Sequence, residues 1–182
     1  MTGAPPMTRL TLCALCAILL GAHTIPTPPS TLRTSAACSA DPDRHRFDFW
    51  IGEWKVTTQG GTTVGSSIIQ PIADGCGLLE NWTGLRGETG KSLNSYSRAL
   101  HQWQQFWVGS GGEVTAYSSG EWDGHSMVFR AAPQSTPQGA PVTRRLTFTP
   151  LADGTVRQLG EQSPDTGATW SIQYDFYYHR SR

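Results

Sequence analysis

In a half-buried strand, residues i and i+2 project to the same side. Three segments of this chain use that spacing to set a polar group beside aromatic rings: Glu80 with Trp82, Asn94 with Tyr96, and Gln105 with Trp103 and Trp107. Turned inward, one carboxyl and two amides among these rings make a mostly aromatic cavity in which a few polar groups orient a small guest. Packed tightly or turned outward, the same rings fill a core or cover a face, and the domain is an interaction module without a cavity. Of the three polar groups only Glu80 can exchange a proton, and burial would raise its pKa toward the range useful for acid or base chemistry. A further reading is therefore an enzyme that isomerises or cyclises an apolar substrate with Glu80 as acid or base. The spacing alone assigns no catalytic residue. The leading expectation is a binding protein for a small apolar or amphipathic molecule, with these seven residues as ligand contacts.

Other chemistries find no foothold. The five His, at positions 23, 45, 101, 125 and 179, form no H-x-H or H-E-x-x-H arrangement, so no metal site is expected. His179 lies late in the chain, where a haem barrel could use it as an iron ligand, but its place before Arg180-Ser181-Arg182 suits a surface residue better. No cofactor is expected. A nucleophile elbow G-x-S-x-G is absent. Gly90-Lys91-Ser92 resembles the end of a phosphate loop, yet Leu85 stands where the first glycine is required, and a strand follows in place of a helix. Asn81-Trp82-Thr83 matches a glycosylation acceptor by chance.

The elements that must position these residues are strands. At 182 residues and 37% hydrophobic content the chain can build one core. Seven Trp, five Tyr and six Phe favour strands, and only 15% charged residues with twenty Gly and twelve Pro argue against a helical bundle. Fourteen basic residues balance fourteen acidic ones without a basic block, which removes nucleic acid from the expected partners. From residue 54 to 179 the sequence divides into ten short apolar-alternating runs at the spacing of a sandwich or barrel. Gly60-Gly61, Asp74-Gly75, Gly111-Gly112, Asp123-Gly124 and Asp153-Gly154 separate successive runs and mark tight hairpins. The expectation is an all-β fold, a single antiparallel meander β-barrel of about ten strands that closes to remove its edges. One short helix is expected ahead of it, over 45–51, with Phe47, Phe49, Trp50 and Trp54 plugging one end. Ser163-Pro164-Asp165-Thr166-Gly167-Ala168-Thr169-Trp170 has the S-x-D-x-G-x-T-W letters of an Asp-box hairpin; one copy without blade repeats is a turn device and not a propeller.

The first forty residues are not expected to join the fold. Met7-Thr8-Arg9 and the apolar run from Leu10 to Leu20 have the layout of a secretory signal peptide, read over 1–22. The run is too short to span a bilayer, so no membrane is expected as a partner after cleavage. Residues 23–40, rich in Pro, Thr, Ser and Ala, read as a disordered linker, and 41–182 as the barrel. The chain is expected to be exported, to the periplasm or the medium. Losing residues 1–40 removes Arg9 and Arg33 but no acid, which leaves the mature domain near −2, and it takes away Cys13 and Cys16. Cys38 and Cys76 remain, and in an oxidising compartment two cysteines can pair. A Cys38–Cys76 bridge would contribute about 3–4 kcal/mol by closing its loop.

Phe47-Asp48-Phe49-Trp50-Ile51-Gly52-Glu53-Trp54-Lys55-Val56 resembles the F-D-F-W-x-G-x-W-x-V opening of an exported bacterial family of unknown function. The likeness continues in order through Ile72–Cys76 with Glu80-Asn81-Trp82, Ser92–Tyr96, Trp103–Val108, Asp153–Gln158 and the Asp-box-like hairpin, covering about residues 45–180. It implies a lipocalin-like (calycin) β-barrel and brings no established reaction. The G-x-W is similar to that of lipocalins, fatty-acid-binding barrels and nitrobindin-type haem barrels, where the Trp closes one barrel end.

Overall fold

The computed structural model describes residues 40–135 and 139–181. The expected leader 1–22, the linker apart from Ala40, and Cys38 lie outside the described residues. The described residues form an N-terminal 3-10 helix, eleven strands and a second, three-residue 3-10 turn at Ala73–Gly75 between β2 and β3; the strands are β1 Gly52–Thr58, β2 Thr63–Ile72, β3 Gly77–Gly84, β4 Thr89–Ser97, β5 Gln102–Gly109, β6 Val114–Trp122, β7 Met127–Arg130, β8 Gln134–Ser135, β9 Pro141–Pro150, β10 Val156–Ser163 and β11 Ser171–Arg180. Ten of them form a closed antiparallel ring. Each pairs with the next in sequence from β1 to β7, β7 pairs directly with β9, and β9 continues through β10 to β11. Pairing of Val56 with Tyr178 joins β1 to β11 and closes the barrel. The two residues of β8 make a side pairing on β9, outside the ring. Among the described residues no helix is long and apolar enough to cross a membrane.

Local chemistry explains the meander. Gly112 and Gly154 turn the β5–β6 and β9–β10 hairpins with φ of 88° and 84°, a left-handed region that β-carbon-bearing residues reach only at a cost. Alternation of buried and exposed residues runs unbroken through β4, where Gly90, Ser92, Asn94 and Tyr96 point inward, as expected for a strand with one wet face. The Asp-box letters build the β10–β11 hairpin. Asp165 accepts from the Thr169 amide at 2.8 Å and the Thr169 hydroxyl at 2.7 Å, Ser163 Oγ donates to it at 2.7 Å, and Trp170 Nε1 donates to Gly167 O at 3.0 Å. Arg145 covers the Trp170 ring at 4.2 Å.

The helix spans Pro42–Trp50, three residues earlier than expected, and it is 3-10 in type. Asp41 caps it by accepting from the Asp43 amide at 3.1 Å, with Pro42 inside the first turn where its missing N–H costs nothing. Buried Arg44 anchors it, donating to Gly75 O and pairing with Asp48. Phe47 and Trp50, both fully buried, enter one end of the barrel. The Phe47 ring lies 5.1 Å from Trp50, 5.5 Å from Trp103 and 5.0 Å from Phe148; the Trp50 ring lies 4.5 Å from Phe148. Below them Trp54 Nε1 donates to Trp50 O at 2.9 Å, and Arg180 covers the Trp54 ring at 4.5 Å. These rings fill the barrel interior at this end, and a smaller pocket of about 280 Å³ lies on its flank between the helix and β4–β7, lined by Asp43, Arg46, Tyr96, Trp103, Trp122 and Met127 among others.

Candidate functional site

The other half of the barrel is not filled. A cavity of about 460 Å³ lies among β3, β5, β6, β9, β10 and β11, within the size range of sites for small molecules. Trp82, Trp107 and Phe176 form aromatic walls, Tyr117 and Tyr174 add phenols, and Glu80 lines it with Gln105, Gln158 and Tyr178. Glu88 and Glu113, from the β3–β4 and β5–β6 turns, line the outer part. Trp82 and Phe176 are parallel, 7° apart in plane with centroids separated by 6.0 Å. Two inward glycines make room for the tryptophans: a β-carbon on Gly65 would meet the Trp82 ring at 2.8 Å, and one on Gly90 would meet Trp107 at 2.2 Å. Small residues beside large ones let the rings lie along the wall.

Glu80 is the chemical centre of the site. Only 3% of it is exposed, and it accepts hydrogen bonds from three hydroxyls: Ser67 at 2.9 Å and Tyr178 at 3.3 Å on Oε1, and Ser92 at 2.9 Å on Oε2. Burial pushes its carboxyl above the ordinary value of 4.5, and the three hydroxyls pull the other way without cancelling that cost. Burial, reinforced by the neighbouring carboxyl, holds the Tyr178 phenol well above its usual range, so Tyr178 keeps the proton it shares between Glu80 and Gln158 Oε1, the latter 2.9 Å away. On the opposite side the network continues through Asn94 Nδ2, 2.9 Å from Ser92 Oγ, to Gln105 Nε2, which donates to Asn94 Oδ1 at 2.7 Å. The bonds draw on β5, β4, β3, β2, β11 and β10 and hold the carboxyl from three sides. Such a group can accept a hydrogen bond or a proton from a guest.

The expected contacts separate into three groups. Glu80, Trp82, Gln105 and Trp107 line the cavity. Asn94 stands behind them, fully buried, positioning Gln105 and Ser92. Tyr96 and Trp103 belong to the plugged end: their rings are 5.8 Å apart, and Trp103 packs edge-on to Phe47. The register explains this, because Trp107, Gln105 and Trp103 pair in turn with Ser92, Asn94 and Tyr96, a ladder that descends from the cavity to the plug. Ser67, Ser92, Gln158, Tyr174, Phe176 and Tyr178 were missed by the pairing of single polar groups with rings. Apart from Gln158, on β10, their signal is present in the Y-x-F-x-Y alternation of β11 and the inward serines of β2 and β4.

His179 lies on the outer face, between Thr57 Oγ1 at 3.2 Å and Thr155 Oγ1 at 3.3 Å, opposite in direction to Tyr178. Among the described residues no group of three His, Cys, Asp or Glu could hold a metal ion. Cys76 is half-buried just after Gly75, the residue that Arg44 grips; its expected partner, Cys38, is outside the described residues. No protein-family model and no curated protein matches the chain.

Proposed function

We propose that this protein is an exported binding barrel that holds a small apolar or amphipathic molecule, with the guest's polar end at Glu80 and its body against Trp82, Trp107 and Phe176. One observation carries the reading: the helix and its rings fill the barrel interior at one end, while the other half keeps a 460 Å³ space lined by rings and ending on a carboxyl held by three hydroxyls. A space of that kind left unfilled costs packing energy, which a guest would restore. Burial of about 200 Å² of a ligand's apolar surface contributes on the order of 5 kcal/mol.

Export rests on the basic start and apolar run before residue 22, and on the resemblance of the F-D-F-W-x-G-x-W segment to an exported family. The Cys38–Cys76 bridge follows from the same compartment. Native mass spectrometry of the protein purified from its own periplasm or medium tests all three parts. The expected result is a chain lacking the leader, two hydrogens lighter than its reduced form, with a stoichiometric extra mass that leaves on denaturation. A bare mass overturns the resident-ligand reading; two titratable thiols without reductant overturn the bridge.

A second reading is favoured by the raised pKa of Glu80: an isomerase or cyclase acting on an apolar substrate with this carboxyl as acid or base. It is distinguished by turnover. Product formation lost in Glu80→Gln while the substrate still binds identifies the enzyme, and binding without product identifies the carrier.

A further inference from the structure

The cavity is one-sided in charge, and that asymmetry bears on what it holds; the inference rests on the binding role proposed above. Four carboxyls line it. Glu80 lies deepest, Glu88 and Glu113 come from the turns, and Glu161 is held by Arg145 in a paired contact of 2.8 and 3.0 Å. Among the described residues Arg144 is the one basic residue lining it, and its Nη1 already donates to Gln134 Oε1 at 2.8 Å. Among the described residues no Lys, Arg or His pairs with Glu80.

A carboxylate can accept about four hydrogen bonds, and Glu80 receives three, two on Oε1 and one on Oε2. Among the described residues Oε2 receives one hydrogen bond, from Ser92, which leaves it capacity for a second. A buried carboxylate without a cation is costly, and a ligand that brings the missing positive charge with an N–H donor relieves that cost. Trp82, Trp107 and Phe176 line the same cavity, and the faces of such rings carry the negative potential that draws cations. A fatty acid meets the reverse situation: its headgroup would sit against Glu80 and pass Glu88 and Glu113, and like carboxyls repel.

We infer that the cavity selects an organic cation, an aryl- or alkylammonium whose protonated nitrogen meets Glu80 Oε2 while its apolar body lies along Trp82, Trp107 and Phe176. Three probes with one body decide it by calorimetry on the mature protein: naphthylethylamine, naphthylethanol and naphthylacetate. The amine is expected to bind about tenfold or more tighter than the alcohol, and the acetate weakest. In Glu80→Gln the amine's advantage over the alcohol falls to about twofold or less, whatever the change in the two absolute affinities. If that variant fails to fold, the ranking on the wild-type protein decides alone. An alcohol or acetate that equals or exceeds the amine overturns the cation inference and leaves the binding barrel standing. No binding of any of the three overturns both.

Discussion

Ser92→Ala tests the carboxyl network by removing a single hydroxyl from it. Ser92 is fully buried; its Oγ donates to Glu80 Oε2 at 2.9 Å and accepts from Asn94 Nδ2 at 2.9 Å. Asn94 Nδ2 keeps a second acceptor, Leu78 O at 3.3 Å, so the main loss is the bond to Glu80. A hydrogen bond to a neutral acid contributes about 0.5–1.5 kcal/mol and one to an ionised carboxylate about 1.5–3 kcal/mol. The cost of Ser92→Ala must therefore grow with pH. Below 4.5 the carboxyl is neutral in the folded and the unfolded chain. Above it the unfolded chain ionises first, so stability falls with rising pH until the folded carboxyl, whose pKa burial has raised, ionises as well. From there on the alanine removes a charge-assisted bond. Urea titrations of wild type and variant at a series of pH values from about 4 to about 9 should give a difference near 1 kcal/mol at the acid end. It should rise by about 1–2 kcal/mol at the alkaline end. In a Glu80→Gln background the same substitution should cost the same at every pH. A difference that stays flat or shrinks with pH in the wild-type background refutes the assignment of Ser92 to an ionising Glu80.

Two further outcomes follow from the ends of the barrel. Trp50→Ala empties the plug beside Phe47, Phe148 and Tyr178 and should cost about 3–5 kcal/mol in chemical denaturation; a loss under about 1 kcal/mol would mean the helix does not close that end. At the β10–β11 hairpin, the bonds from the Thr169 amide, the Ser163 hydroxyl and the Thr169 hydroxyl hold Asp165 at a pKa of about 2 against an ordinary 3.8. The hairpin's contribution is thus present above 3.8 and lost as pH falls through about 2. The Thr169 amide resonance should titrate with that midpoint, and a midpoint near 3.8 would contradict the geometry.

Much of the architecture is a local property and could be read along the chain. The two-residue alternation of Leu78, Glu80 and Trp82, or of Ser92, Asn94 and Tyr96, puts each set on one face wherever the strand ends up. Turn pairs such as Gly111-Gly112 and Asp153-Gly154 set hairpins between neighbours, and a meander of such hairpins is all-β and closes. The Asp-box letters carry their own hydrogen bonds within eight residues. Glu80, Trp82, Gln105 and Trp107 were legible for this reason: sidedness depends only on spacing.

Height along the barrel axis is not local. Tyr96 and Trp103 share the inward face with Asn94 and Gln105, yet the register sets them against the helix, while Trp107, four residues beyond Trp103, lines the cavity. Nothing in the spacing of β5 tells the two ends apart, because the plug comes from residues some sixty positions away, as in the 3.3 Å bond from Trp103 Nε1 to Asp43 O. The company of Glu80 is also a product of closure. Ser67 and Ser92 reach it from the flanking strands, 13 and 12 residues away, but Tyr178 is 98 residues distant and arrives only when β11 pairs with β1. The sequence by itself determined which side chains face inward, since that follows from the pleat of each strand. Only the tertiary structure decided which of them meet, how deep they lie and where space remains, since those depend on the register of the closed ring and on the helix that fills one end.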